Sequence, residues 1–181
     1  MKLLFILLSA LLSFLTYLDS HILHSDFTIT VAQNVSQPLT YRGTYTMQGN
    51  CFWLALLDFE ASYDGKTFYL YRDEDKEITL STPTADELCQ TNPMLYAKAL
   101  QSACNITERE SEGVYTATLT PKNKEAGIQR FVVRWKGHLP VSIEMREGQQ
   151  TTTLTFIKPE YIATAPSFSI HKDDAYINDL R

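Results

Sequence analysis

From residue 26 onward the chain alternates apolar and polar side chains with a period of two, in short runs parted by turn residues. In DFTITV, Phe27, Ile29 and Val31 fall on one side and Asp26, Thr28 and Thr30 on the other. A helix would scatter those side chains around its axis, whereas a strand gathers them on one face. LTYRGTYTMQGN sets Tyr41, Gly43, Tyr45 and Met47 on a common face and ends in Gly49-Asn50, which has turn chemistry. The third run, CFWLALLDFEASYD, is apolar on both faces, Phe52, Leu54 and Leu56 against Trp53, Ala55 and Leu57, which predicts a central place in the sheet. Asp64-Gly65 then parts EASY from TFYLYR, and an acidic turn at Asp73 to Asp75 leads into KEITLS, completing a meander of about six strands.

Two segments interrupt this pattern. Thr84, with Glu87 three residues on, makes a capping box that starts a short helix in TADELC. Asn92-Pro93 starts a second helix, MLYAKALQSAC, whose Met94, Leu95, Ala97, Leu100 and Ala103 form one stripe suited to lie across the sheet. Strands resume in VYTATLTP, IQRFVVRW, LPVSIEMREG and TTTLTFIKP, with turns at residues 122–127 and 148–150. Short connections make every pairing antiparallel, and only the tail, APSFSIHKDDAYINDLR, reads as irregular. The residues alone predict one α+β domain dominated by a curved antiparallel sheet.

The length of 181 residues suits a single domain with a sizeable core. A net charge of −5 without a Lys/Arg cluster excludes a nucleic-acid footprint and leaves only transient membrane contact. Residues 1–20 form an apolar leader: Lys2 precedes a run from Leu3 to Leu15 with the length of a signal-peptide core. No small-x-small pair marks a cleavage point, so the stretch is either a cleaved signal peptide or an apolar helix packed on the domain that spans residues 21–181. Either reading predicts a protein exported from the cytosol. Three cysteines cannot make a disulfide scaffold; Cys51 reads as core, and a Cys89–Cys104 bridge, which would contribute ~3 kcal/mol, is left open.

Signatures of catalysis are missing: there is no G-x-S-x-G, P-loop, H-E-x-x-H or G-x-G-x-x-G. His21, His24, His138 and His171 lack companions for a metal site, and the carboxylates at Asp73 to Asp75 and Asp173-Asp174 read as solvated turns. The sequons at Asn34 and Asn105 are patterns short enough to arise by chance. The residues predict no enzyme, cofactor or metal.

The order of segments carries a resemblance. DFTITV, the turn M-x-G-N, YDGKTFYLY, STPTADEL followed by NP, YTATLTPKNKEAGIQRFVV, LPVSIEM and the DDAYINDLR ending, which reads like DAxVIDLR, together resemble the LolA-like lipoprotein carriers. They are most similar to the variant found in Bacteroidetes, from about Asp26 to Arg181. The resemblance implies a half-open antiparallel β-barrel of the LolA/LolB kind with short helices as a lid. It also implies a periplasmic chaperone that takes acylated lipoproteins from an inner-membrane ABC-type releasing complex, holds their acyl chains in a hydrophobic cavity, and delivers them to an outer-membrane acceptor. Such a carrier would work as a monomer. The expected lining is Phe27, Ile29, Val31, Tyr45, Met47, Phe52, Leu54, Leu56, Phe68 and Leu70 from strands, with Leu95 and Leu100 from the second helix; Met145 is a further soft surface. Proteobacterial carriers place an arginine just before the third strand, where this chain has Met47-Gln48-Gly49-Asn50. Two other readings remain: a carrier of a small apolar ligand, although the lipocalin G-x-W signature is absent, and a sensor of mislocalised lipoproteins.

Overall fold

The computed structural model describes residues 10–33, 37–123 and 127–181. The sequon at Asn34 to Ser36, part of the turn at residues 122–127 and the first part of the leader lie outside them. Helix α1 (Ala10–Ser20) leads into β1 (Ile22–Gln33), β2 (Leu39–Gln48), β3 (Cys51–Leu56), β4 (Phe59–Tyr63), β5 (Phe68–Arg72) and β6 (Glu77–Ser81). Helices α2 (Ala85–Thr91) and α3 (Pro93–Ala103) follow, then β7 (Cys104–Ser111), β8 (Val114–Pro121), β9 (Ile128–Lys136), β10 (Leu139–Glu147), β11 (Gln150–Ile162) and β12 (Tyr176–Asp179). The strands form one open sheet in the order β12-β6-β5-β4-β3-β2-β1-β11-β10-β9-β8-β7. Two meanders, β1 to β6 and β7 to β11, are joined by the long β1–β11 ladder, which sets Phe27 opposite Phe156 and Ile29 opposite Leu154. This is a mostly antiparallel, unclosed sheet with a few short helices.

Four details differ from the sequence reading. The third run is two strands, because Leu57 adopts a left-handed φ of 52° and turns the chain; its side chain, assigned to a sheet face, is 67% exposed. CNITERES, the site of the second sequon, is the edge strand β7, whose many polar residues hide the period-two signal. The tail is not wholly irregular: β12 pairs with β6, and it does so in parallel, because the chain first crosses the outside of the sheet and returns in the same direction as β6. Finally, β3 lies inside the half of the sheet formed by the first meander, while β2 and β1 hold the centre. Its second apolar face is covered by the segment before β12. Tyr71, Ile78, Leu80 and Ile170 form a cluster there with Trp53 against it, Lys172 bonds Glu60 at 2.6 Å and lies over the Tyr71 ring, and the Ser62 hydroxyl donates to the Phe168 carbonyl.

The main core lies on the concave face. Helix α1 packs against β1 and β2 and buries Leu11, Phe14, Leu15 and Leu18, each about 1.5–3 kcal/mol of transfer free energy. Phe14 stacks on Trp135 with ring centroids 5.0 Å apart. Glu108 of β7 accepts the Leu11 N–H at 2.8 Å, an acidic group at the positive end of the helix. At the other end the Tyr17 ring lies between the His21 and His138 rings, at 3.8 and 4.0 Å, and Asp19 pairs with Lys98 of α3. Two histidines thus serve to seat α1, and His24 bonds the Thr46 hydroxyl.

Gly43 sets how tightly β2 fits between its neighbours. It faces Phe27 on β1 and Leu56 on β3, and a Cβ there would stand 2.5 Å from Phe27 Cζ and closer still to the Ala55 carbonyl oxygen. Backbone on one side and a fully buried ring on the other leave no room to yield. Gly43→Ala is therefore expected to lower stability by about 2–3 kcal/mol in urea unfolding. An unchanged midpoint would refute this account of β2.

Candidate functional site

The concave face is not covered evenly. Beyond α1 it opens into a cavity of about 460 Å³ between the sheet and the two short helices. The first meander contributes Phe27, Ile29, Tyr45, Leu54 and Leu56; the second contributes Phe131, Ile143, Met145, Thr152 and Leu154. These side chains meet because the register aligns them: Tyr45 faces Leu54, Ile29 faces Leu154, and Ile143 and Met145 face Val133 and Phe131. The roof is Cys89, Gln90, Thr91, Pro93 and Tyr96, with Tyr96 edge-on to Phe131 at 5.5 Å and exposed Glu147 at the rim.

The wall carries little that ionises. Burial pushes the Cys89 thiol up, with Asp86 adding to it, so the group stays a neutral thiol at neutral pH. Cys51, Cys89 and Cys104 are all free, so the Cys89–Cys104 bridge left open by the sequence does not form. Burial also drives the Tyr45 phenol far up, against a smaller opposing pull from its hydrogen bond to Asn92. Tyr96 is raised as well, first by burial and then by Glu147. An apolar space whose one acidic lining group among the described residues is Glu147 at the rim suits hydrocarbon, and the described lining assembles no nucleophile with an acid–base partner.

The lid meets the wall at Asn92, besides the Lys98–Asp19 pair and the Tyr96–Phe131 contact. Asn92, fully buried, caps α3: its Oδ1 accepts from Met94 N–H at 3.0 Å, Leu95 N–H at 3.4 Å and the Tyr45 hydroxyl at 2.7 Å. Pro93 fits the first helical position because no N–H is needed there. Helix α2 has no fully buried residue; Leu88 packs partly against the core, and the Thr84–Glu87 box fixes its first turn. The Thr84 backbone N–H donates to Glu87 Oε2 at 2.7 Å, and the Glu87 N–H returns a bond to Thr84 Oγ1 at 3.3 Å.

The structure brings five of the expected lining residues, Phe27, Ile29, Tyr45, Leu54 and Leu56, to the cavity. It places the others elsewhere. Met47 and Phe52 are wholly enclosed in the core that α1 completes. Leu95 is buried in the protein, and Leu100 packs beside the core. Phe68 packs against the core and lines a second, smaller space with Pro83, Glu87 and Thr91. Leu70 lies opposite Ala61 and Thr79, away from the wall, and Val31, opposite Leu39 and Thr152, sits towards the end of β1. The sequence reading missed the β9–β11 half of the wall apart from Met145. Its signal was present, since Phe131 and Val133 alternate as Ile143 and Met145 do, but only a sheet that curls over itself shows that both halves face one space.

A family model described as outer membrane lipoprotein carrier protein LolA matches residues 24–149, well over half of the chain. No curated protein matches by sequence. Among solved structures, an uncharacterised conserved protein from Thermus thermophilus is similar at TM-score 0.64 and 8% identity, over 95% of this chain and 98% of its own. A LolA superfamily protein from Nitrosomonas europaea matches at TM-score 0.44 and 8% identity, over 86% and 94%.

The lid has a pH signature. Hydrogen bonds from the Thr84 backbone and hydroxyl hold the Glu87 carboxyl below its usual range. A depressed carboxyl contributes stability above its unfolded pKa, about 4.3, and loses it as pH falls through the folded value. Helical chemical shifts of residues 85–91 should therefore fade on acidification before those of the sheet, and Glu87→Gln should retain them. A wild-type α2 that persists unchanged in acid would rule the box out as its main support.

Proposed function

Because the chain belongs to the outer-membrane lipoprotein carrier family, we propose that it carries acylated lipoproteins across the periplasm and shelters acyl chain in the cavity under the lid. The observation that supports this most is the apolar space itself. At the ~30 Å³ that a water, or a methylene of similar size, takes up in a liquid, 460 Å³ holds about fifteen such units, one fatty acyl chain. With ~0.8 kcal/mol per buried methylene, a chain of that length would face a barrier of ~12 kcal/mol if it crossed water bare. The cavity offsets most of that cost, and its mixed aromatic, aliphatic and thioether wall grips without a rigid mould, so the next acceptor can win the chain.

In this reading the protein receives cargo from an inner-membrane ABC-type releasing complex and passes it to an outer-membrane acceptor, as a monomer in the periplasm. Further chains of a multiply acylated cargo would lie along the mouth, where α2 has no buried side chain to resist lifting. Residues 10–20 stay in the working protein, because removing them would strip Leu11, Phe14, Leu15 and Leu18 from the core. No arginine reaches the lid from the turn after β2; the strand-to-lid bond is the Tyr45 hydroxyl on Asn92.

The test is transfer of a purified acylated lipoprotein from inner-membrane vesicles, with the releasing complex and ATP, into a soluble complex with this protein. We expect a complex that requires the acyl chains, and one at least about tenfold weaker with Leu54→Glu, which puts a carboxylate in the wall opposite Tyr45 on the neighbouring strand. A folded protein that forms no complex would favour a sensor or a carrier of a small apolar ligand instead. A Leu54→Glu variant that transfers normally would remove the cavity from the mechanism.

A further inference from the structure

We propose that the Asn92 side chain is the polar contact of the cavity, donating its Nδ2–H to a carbonyl oxygen at the head of the cargo's acyl chain; the inference rests on reading the cavity as an acyl-chain site. The orientation of the carboxamide is settled by three donors converging on Oδ1: the N–H groups of Met94 and Leu95 and the Tyr45 hydroxyl. The amide nitrogen therefore faces the other way, and it is buried with no acceptor among the described residues. A buried donor left unmet is costly, and a ligand oxygen would relieve that penalty.

Its position says what that ligand is. Thr91 and Pro93, on either side of Asn92, both line the cavity, and so does its partner Tyr45. Asn92 thus sits between two residues of the cavity lining, at the N-terminus of α3, where the helix dipole favours partial negative charge. Pro93 supplies no N–H there, which leaves the carboxamide as the donor at that point. A hydrocarbon tail has nothing to accept it. A fatty acyl group does, because its ester or amide linkage puts one carbonyl at the head of the chain, and that oxygen loses its water on entering the cavity. Each group would satisfy the other. The approach needs the α2–α3 joint to part slightly from the wall, and α2, with no buried residue, opposes this weakly. Among the described residues, Glu108 Oε2 is the other buried side-chain polar atom without a partner; as a carboxylate oxygen on β7 it is an acceptor and cannot serve a carbonyl.

The experiment compares two probes on the full chain: a dipalmitoylglyceryl-cysteine lipopeptide with ester linkages, and its dialkyl ether analogue, which keeps the chains and lacks the carbonyls. Wild-type protein should bind the ester probe about tenfold more tightly. Asn92→Asp keeps an oxygen for the Met94 and Leu95 N–H groups and removes the donor, so the ratio of ester to ether affinity should fall to about one. Asn92→Ser, which also caps a helix, replaces it if the aspartate variant does not fold. Equal wild-type binding of both probes would overturn this role and leave the carrier reading standing. A preference undiminished in the variants would overturn it too. If neither probe binds folded wild-type protein, the carrier reading falls and takes the inference with it.

Discussion

One concave apolar face, built from alternate residues of the strands, has to be kept from water, and the chain covers it unequally. Around Leu23, Met47, Phe52 and Trp135 the cover is dense: α1 inserts Leu11, Phe14, Leu15 and Leu18, and α3 adds Met94, Leu95 and Ala97. Towards Ile29, Leu56, Met145 and Leu154 the cover is thin, because α2 lends no buried residue. A core packed to solid density at one end supplies the stability, so the other end can stay empty without unfolding the sheet. The cavity is the unfilled remainder of the same face.

The convex side is covered just as selectively. Strands β3 to β6 are covered outside by the segment leading to β12, through Ile170, the Lys172–Glu60 pair and the Ser62–Phe168 bond. That half of the sheet is therefore held from both sides. On the far edge β7 is mostly exposed outside and is tied inward through Glu108 at the start of α1. A stiff half and a lighter half meet at the β1–β11 ladder, where Gly43 lets the Phe27 ring lie close against the backbone of its neighbours.

Polar groups are sparse in this interior, so each one carries weight. Asn92 organises the joint between lid and wall with one oxygen, receiving two backbone N–H groups and the Tyr45 hydroxyl. In a low-dielectric surround such bonds are strong and specific, and an unmatched donor beside them is correspondingly conspicuous.

The sequence by itself determined most of the elements, though not the edge strands β7 and β12. Alternation in DFTITV and LTYRGTYTM, the Asp64-Gly65 turn, the Thr84–Glu87 box and the Asn92-Pro93 start are local signals, and each acts through its own backbone hydrogen bonds over a few residues. It also set which face of β1 and β2 turns inward, since only one face of each is apolar, whereas β3 is apolar on both. Tertiary structure alone decided which inward residues line a cavity and which fill a core, because that depends on what lies opposite: Met47 and Phe52 are enclosed in the core cluster that α1 side chains join, while Leu54 and Leu56, on the same face, line the cavity with the β9–β11 wall. It decided, too, that Trp53 is covered by a tail without a local pattern, and that Asn92, legible as a cap, is also a donor with nowhere to give its proton. Distance along the chain carries no record of such meetings; closure of the sheet creates them.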